Sequence, residues 1–417
     1  MLEIYNSMSR KIETFTEREE GKVRIFTCGP SIYQKAHLGN YRTFLYEDLL
    51  VRYLMFSGYD VERAMNLTDI EDKAISEAQK NETDVESLTG DVLKIFRSSL
   101  DGFGFIMPEH LVPASESIEM SVEIIKKLVE SGHAYEHEGD YFFDPLKAEG
   151  FGRLFGLDMS SWPEKKRRFK RDTYNGNRWN RGDFILWHGH RGEEGHPSWN
   201  TALGEGRPSW NIQDPAIIAM SIGDQVDINC GGIDNIYRHH DYNIAVMEAY
   251  TGLDYSNYYM HGEHLIVEGR SMSKSRGNII YPEQLIDMGF SWKEIRFFLT
   301  YKHYRKKLNY TAENFEEAVR RLRGFRADLK AVRYAAGEAG SPGAQKLIDA
   351  IVPDFRAALD GDLSLGRGFD STAATVRRIK KCSDRQPLSS RQHESLTKSL
   401  KKIDNVLNVI YAHNSST

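Results

Sequence analysis

Two short stretches of this chain gather side chains able to handle a phosphate. "CGPSIYQKAHLGN", residues 28 to 40, carries Cys28 nine positions before His37, with Gly39 and Asn40 just beyond. A glycine where a strand turns into a helix lets a phosphate approach the backbone. The helix start adds free N–H groups and the positive end of the dipole. His37 and Asn40 add side-chain donors. Alone, a His-x-Gly-Asn turn is equally an ordinary loop. "EGRSMSKSRGN", residues 268 to 278, sets Arg270, Lys274 and Arg276 among Ser271, Ser273 and Ser275. Such a cationic loop suits a pyrophosphate leaving group, whose developing charge needs positioned donors. By itself it also fits a solvated basic loop.

The fold must bring these distant segments together. KVRIFTC (22–28) reads as a short buried strand broken by Gly29-Pro30. The spacing of Phe44, Leu45, Leu49, Leu50, Tyr53 and Leu54 predicts a helix over 43–57, stopped at Gly58. YDVERAMNLTD (59–69) reads as a second strand, which completes a βαβ unit with its ligand side at the strands' carboxyl ends. Residues 85–182 differ in character. They hold an amphipathic helix ended by Ser131-Gly132, a hairpin-like stretch at Gly139-Asp140 and the basic run KKRRFKR at 165–171. Strands return at DFILW (183–187), QVDIN (225–229) and HLIVE (264–268). Beyond about 287 the strands are expected to stop. WKEIRFFLTYKHYRKK and the segments after it have helical period, interrupted by a loop at 337–344. The expectation is a split α/β domain with an insertion, then a helical bundle.

The 417 residues leave room for two or three domains. A net charge of -5 excludes a generally basic, histone-like nucleic-acid binder but leaves room for a local basic face. Three cysteines (Cys28, Cys230, Cys382) are too few and too scattered for a disulfide framework, so a reducing cytoplasmic setting is expected. The N-terminus lacks a signal-type apolar stretch, and no run of about 18 apolar residues occurs, so no membrane partner is expected.

Taken together, the two phosphate-handling segments resemble those of class I aminoacyl-tRNA synthetases, where a HIGH-type turn and a KMSKS-type loop clamp ATP. The resemblance is strongest to the cysteinyl-tRNA synthetase family. FTCGPSIYQKAHLGNYRTF, GYDVERAMNLTDIEDK, DFILWH, GRPSWNIQDPA, CGGIDNIYRHHDYN, HGEHLIVEGRSMSKSRGN and YRKKLNYTAENFEEA carry it, in the family's order over roughly residues 20 to 320. It implies a Rossmann-type parallel-sheet catalytic domain split by an insertion and followed by a C-terminal helical bundle. The corresponding division is 1–84 and 183–286 for the two catalytic halves, 85–182 for the insertion and 287–417 for the helical stem and bundle.

The resemblance further implies a ligase that joins an amino acid to ATP as an aminoacyl adenylate, releases pyrophosphate, and passes the acyl group to an acceptor. His37, Asn40 and Lys274 would form the catalytic clamp with Mg²⁺, electrostatic rather than acid–base. Gly39, Met272, Ser273 and Ser275 would line the ATP site, with Asp234 on the ribose. Cys28, Thr68, Trp210 and Asp214 would bind the amino acid. Asn40 stands where the family has a second histidine, and Ser271 where it has a first lysine; slower adenylation is the expected consequence.

In the family a zinc ion on the pocket floor is held by Cys, Cys, His and Glu. Cys28 and His239 match the first and third ligands, but Asp214 and Asn243 occupy the second and fourth places. Three outcomes stay open. Zinc is kept by Cys28, Asp214, His239 and Asn243 or water, with Cys230 as a substitute ligand if its loop bends. Alternatively the metal is lost and Asp214 serves another substrate, or the pocket is a relic. No anticodon-binding domain is expected after the bundle. Arg320, Arg321, Arg323, Arg326, Arg377, Arg378, Lys380 and Lys381 are expected on a solvated helix face. These departures favour a paralogue with altered amino-acid choice acting on a small amine or carrier. The alternatives are a genuine cysteine–tRNA ligase acting on tRNA, and a non-catalytic nucleotide-binding regulatory protein.

Overall fold

The computed structural model describes residues 1–158, 182–193, 195–337 and 339–411. The basic run at 165–171 lies outside them. The chain opens with a hairpin of β1 (Glu3–Asn6) and β2 (Lys11–Thr14), followed by β3 (Lys22–Thr27), α1 (Leu38–Ser57) and β4 (Asp60–Leu67). Helices α2 (Asp72–Lys80) and α3 (Val85–Gly102) lead to β5 (His110–Pro113) and α4 (Ile118–Glu130). Next come β6 (Ala134–His137), β7 (Asp140–Phe143), β8 (Phe184–Gly189), β9 (Trp199–Thr201) and β10 (Gly204–Pro208). The chain re-enters its core through α5 (Trp210–Ser221), β11 (Val226–Gly232), α6 (Asp241–Thr251) and β12 (Ser256–Gly262). A small sheet and two helices follow: β13 (Leu265–Val267), β14 (Arg270–Ser271), α7 (Pro282–Asp287), α8 (Trp292–Tyr301) and β15 (Leu308–Tyr310). The end is helical: α9 (Ala312–Lys330), α10 (Ala344–Asp360), α11 (Leu365–Arg385) and α12 (Ser390–Leu407).

The central sheet has the order β12-β11-β3-β4-β5 and is parallel throughout. From β3 the chain winds outward through β4 and β5, then crosses to the other side for β11 and β12. Strand order therefore reverses between β3 and β11, and the crevice at their carboxyl ends is where a doubly wound sheet binds its ligand. Helix α1 packs on one face of the sheet through Leu45, Leu49 and Leu50. Helices α5 and α6 cover the other through Ile217, Ile218, Ile244 and Met247. With both faces covered, all seven residues of β11 are buried, Asp227 and Asn229 included.

Helix α1 begins five residues before the periodic stripe, because His37 caps it; at the other end Gly58 closes it at φ +104°, a conformation that suits glycine. Asp48 of α1 is fully buried against Arg296 of α8 (2.6 Å) and Arg52 (2.7 Å), and accepts the Ile106 N–H (2.8 Å). This cluster fastens α8 to α1 and so to the parallel sheet.

Two expectations need adjusting. Strands do not end near 287: the helix begun at Trp292 stops at Tyr301, and residues 308–310 pair parallel with β13. Arg42, buried in α1, donates to the carbonyls of Leu299 and His303 and so satisfies the helix end that 302–307 would otherwise have continued. The run 183–187 forms β8, but it pairs antiparallel with β7 and β10 rather than entering the parallel sheet. The sheet of the inserted segment thus extends to Pro208, past the boundary expected at 182.

In the bundle, several of the basic residues are engaged. Arg323 pairs with Glu294, Arg321 with Glu317 and Asp370, Arg377 and Lys380 with Asp328, and Arg326 donates to the Val409 carbonyl. No helix among the described residues is long and apolar enough to cross a membrane.

Candidate active site

β3 delivers Cys28 to the crevice. Gly29 follows because nothing larger fits: a Cβ there would lie 1.8 Å from the Asn66 carbonyl oxygen. The loop after it is tied to β4 at Thr68, which donates its N–H to Pro30 and accepts from Ile32.

His37 is the N-cap of α1. Its Nδ1 accepts the N–H groups of Gly39 (3.1 Å) and Asn40 (3.3 Å), while Asn40 Oδ1 accepts the His37 N–H (3.0 Å). This reciprocal box has a chemical consequence. Nδ1 is an acceptor, so the ring proton sits on Nε2. Burial holds the imidazole pKa below its ordinary value, and the ring is neutral at pH 7. His37 thus offers one directed N–H, and Asn40 keeps its amide NH₂ for another acceptor.

The β13–β14 hairpin lays the serine-rich loop on this helix start. A Cβ on Gly39 would come within 2.6 Å of Met272 Cε and 3.0 Å of the His37 ring, so glycine is what allows the approach. Asn278 braces the loop, accepting the Ser273 N–H (2.9 Å) and donating to the Ser271 carbonyl (3.2 Å). Leu38 N–H bonds to Ile280 beyond it (2.9 Å). A cavity of about 330 Å³ lies between, lined by Cys28, His37, Gly39, Asn40, Asp234 and Met272 among others. Lys274, further along the same loop, is not among the residues that line it; its ammonium lies 5.9 Å from the Tyr33 ring centre. Ser273 and Ser275 share a hydroxyl contact of 3.2 Å on the same loop. Asp234 sits on the turn after β11, its carboxylate over Gly232, where a Cβ would be 2.6 Å away.

The floor of the crevice is polar and closed. Asp214, from α5, has no accessible surface; its Oδ2 lies 2.8 Å from His239 Nε2, 3.0 Å from Asn243 Nδ2 and 3.7 Å from Cys28 Sγ. Trp210 stacks flat on the His239 ring, with centroids 4.2 Å apart and planes 5° apart. His240, unassigned in the sequence reading, places Nε2 2.9 Å from Cys28 Sγ. Adjacent helical residues point about 100° apart, so two consecutive histidines should not converge. Here a kink precedes the pair, with Tyr237 extended and Arg238 at φ +73°, and the two long side chains bring their rings to 5.5 Å between centroids. The doublet "HH" was the available signal; the kink was not. His240 Nδ1 lies 2.8 Å from His261 Nε2, whose Nδ1 is 2.8 Å from Ser7 Oγ. Burial first, then Asp214 and Glu47, push the Cys28 thiol pKa up, and burial pulls His240 and His261 down. The Cys28 thiol is thus held protonated beside a neutral His240.

Cys230 does not join this group. Its side chain points to the α1 face of the sheet, beside Tyr46, whereas Cys28 packs on the α5–α6 face. Alternation along β11 forbids the substitution. Among the described residues, the set that could hold a metal is one sulfur and two ring nitrogens, from Cys28, His239 and His240, all within 4.8 Å of one another and buried, with Asp214 alongside. Asp214 Oδ1, His239 Nδ1 and Asn243 Oδ1 are buried without a hydrogen-bond partner among the described residues. Soft sulfur, imidazole nitrogen and carboxylate oxygen around orphaned polar atoms fit zinc.

Comparison with known proteins agrees with this layout. Residues 14–320 match the family model described as the class I (C) tRNA synthetase catalytic domain. The chain is 35% identical to a cysteine–tRNA ligase of Chlamydia pneumoniae over 98% of its own length and 86% of that protein's. It is 33% identical to one of Koribacter versatilis, over 98% and 82%. Among solved structures, Mycobacterium tuberculosis methionyl-tRNA synthetase in complex with methionyl-adenylate superposes with a TM-score of 0.64 at 14% identity, covering 93% of this chain and 90% of that one, which speaks to the fold alone. The split parallel sheet, its terminal helices and these matches along nearly the whole sequence show that the chain belongs to the cysteinyl branch of the class I tRNA synthetases, a family of ATP-using ligases.

Proposed function

We propose that this protein activates an amino acid with ATP, forming an aminoacyl adenylate and pyrophosphate, and transfers the acyl group to tRNA, with cysteine as the amino acid. The observation that carries this reading is the contact of Met272 with Gly39, which closes the two phosphate-handling segments over one cavity that also opens on Cys28. An amino-acid carboxylate attacks the α-phosphorus, and the charge that grows on the departing pyrophosphate needs donors already in place. His37 supplies its Nε2–H and Asn40 its amide, both preset by the cap. Lys274 reaches the departing phosphates from the loop, Mg²⁺ arrives with the nucleotide, and Asp234 accepts from the ribose. Met272, Ser273 and Ser275 hold the loop's course across the triphosphate. Thr68 and Trp210 bound the amino-acid side.

On the floor, Cys28, Asp214 and His239 would hold zinc, which when bound supplies a soft Lewis acid for a substrate thiolate. Trp210 and Asn243 orient His239 and Asp214 for that task. Cysteine and tRNA are favoured because the relatives are named for both.

A changed amino acid delivered to a small amine or carrier is supported only by Asp214 and Asn243; the comparisons lend it no support. A non-catalytic nucleotide binder rests on Ser271 alone. ATP–pyrophosphate exchange against twenty amino acids, followed by charging of bulk tRNA, tests the proposal. Exchange with cysteine and charging of tRNA are expected. Exchange with a different amino acid, or exchange without charging, would favour the second reading.

A further inference from the structure

The two substitutions on the pocket floor raise a question that the matched positions alone do not answer: which atoms complete a metal shell when Asn243 replaces a carboxylate? Asn243 is held by its neighbour. Its Nδ2 donates to Asp214 Oδ2 at 3.0 Å, and turning the amide over would set its oxygen against that carboxylate. The atom it turns to Asp214 is therefore an N–H donor, which cannot ligate, while its Oδ1 is left buried without a partner among the described residues. His240 is placed differently. Its Nδ1 is taken by His261, itself anchored on Ser7, and this leaves Nε2 2.9 Å from Cys28 Sγ. An imidazole whose far nitrogen is fixed by a buried partner is the usual outer-shell support of a metal-bound histidine. Gly231 makes the room, since a Cβ there would lie 2.7 Å from His240 Cε1. The ligand atoms of Cys28, His239 and His240 lie within 4.8 Å of one another, with Cys28 Sγ 2.9 Å from His240 Nε2; Asp214 stands outside that trio, 3.7 Å from Cys28 Sγ and 2.8 Å from His239 Nε2.

We infer that this chain binds zinc through Cys28 Sγ, His239 Nε2 and His240 Nε2, with Asp214 turning in to supply the fourth, oxygen ligand and Asn243 outside the shell as the residue that positions Asp214. The site has one thiolate and two imidazoles. With one thiolate and one carboxylate it is neutral overall around a divalent ion. This assignment deepens the reading of the pocket floor proposed above.

X-ray absorption of the zinc-loaded, unmutated protein tests it, because outer-shell imidazole scattering counts the bound histidines independently of any catalysis. One sulfur, two imidazoles and one further oxygen are expected at about one zinc per chain. Asn243→Ala should weaken zinc by roughly 10- to 100-fold, as an outer-shell change does, and leave the loaded spectrum unaltered. His240→Ala should lose one imidazole from the spectrum. A single imidazole in the unmutated protein, more than one sulfur, or no zinc retained after reconstitution overturns the assignment, whatever the exchange assay shows. Conversely, a correct spectrum with no amino-acid activation leaves the assignment standing and sinks the ligase reading.

Discussion

Replacing Gly39 with alanine isolates the closure on which adenylate formation is proposed to depend. Gly39 lies in the first turn of α1, at an ordinary helical φ, so alanine meets no backbone penalty and gains about 0.5–1 kcal/mol of helix propensity. The added methyl would stand 2.6 Å from Met272 Cε and 3.0 Å from two atoms of the His37 ring. Comfortable carbon contacts need about 3.5–4.0 Å, so Met272 must retreat by roughly 1 Å. The ring can yield less, because it holds two backbone N–H groups. Loss of that cap would cost about 1 kcal/mol, so the gain and loss in stability nearly cancel. Catalysis has no such compensation. A misplacement of about 1 Å in a positioning element costs around 100-fold, or about 2.7 kcal/mol of barrier. Gly39→Ala should therefore unfold within a few degrees of the parent while ATP–pyrophosphate exchange falls about 100-fold. Exchange within threefold of the parent, at an unchanged KM for ATP, would refute the claim that this contact sets the nucleotide clamp.

Other substitutions separate positioning from stability. His37→Asn keeps a good N-cap but shortens the donor, so stability should hold while exchange drops by about 100-fold or more, as for loss of an oxyanion donor; unaltered exchange would remove His37 from the clamp. Asp48→Ala strands Arg296, which is 1% exposed, without its buried partner. Urea unfolding should show a loss of about 3–5 kcal/mol, and a loss under 1 kcal/mol would mean that the cluster does not fasten the bundle. Burial, and then the nearby Arg207, lower the His188 pKa to about 4. Between pH 6.5 and 4 the unfolded chain binds a proton there that the folded chain refuses. Stability from this residue is thus complete above 6.5 and lost as pH falls through that window, by up to about 1 kcal/mol per pH unit. Urea midpoints of His188→Gln should be flatter with pH than those of the parent, and parallel curves would contradict this.

The sequence was most informative where chemistry depends on local pattern. The βαβ unit from Lys22 to Leu67 follows from apolar periodicity, and the terminal helices follow from theirs. What stayed hidden was set by tertiary contacts. A buried run such as Phe184–Gly189 is compatible with either a parallel or an antiparallel sheet until its partner is known. The end of α8 at Tyr301 depends on Arg42, which lies more than two hundred residues earlier. Asn40 looked like a free donor, yet half of its amide closes the helix cap. His240 was passed over because helical geometry would turn it away from His239, and the left-handed Arg238 before the pair has no sequence signal, since arginine seldom adopts that conformation.

The most direct measurement is amino-acid-dependent ATP–pyrophosphate exchange by the purified, zinc-loaded protein. Label should enter ATP when cysteine is supplied, and the same preparation should charge tRNA. If no amino acid supports exchange, the joint site built from His37, Asn40 and Lys274 is not an adenylate-forming centre.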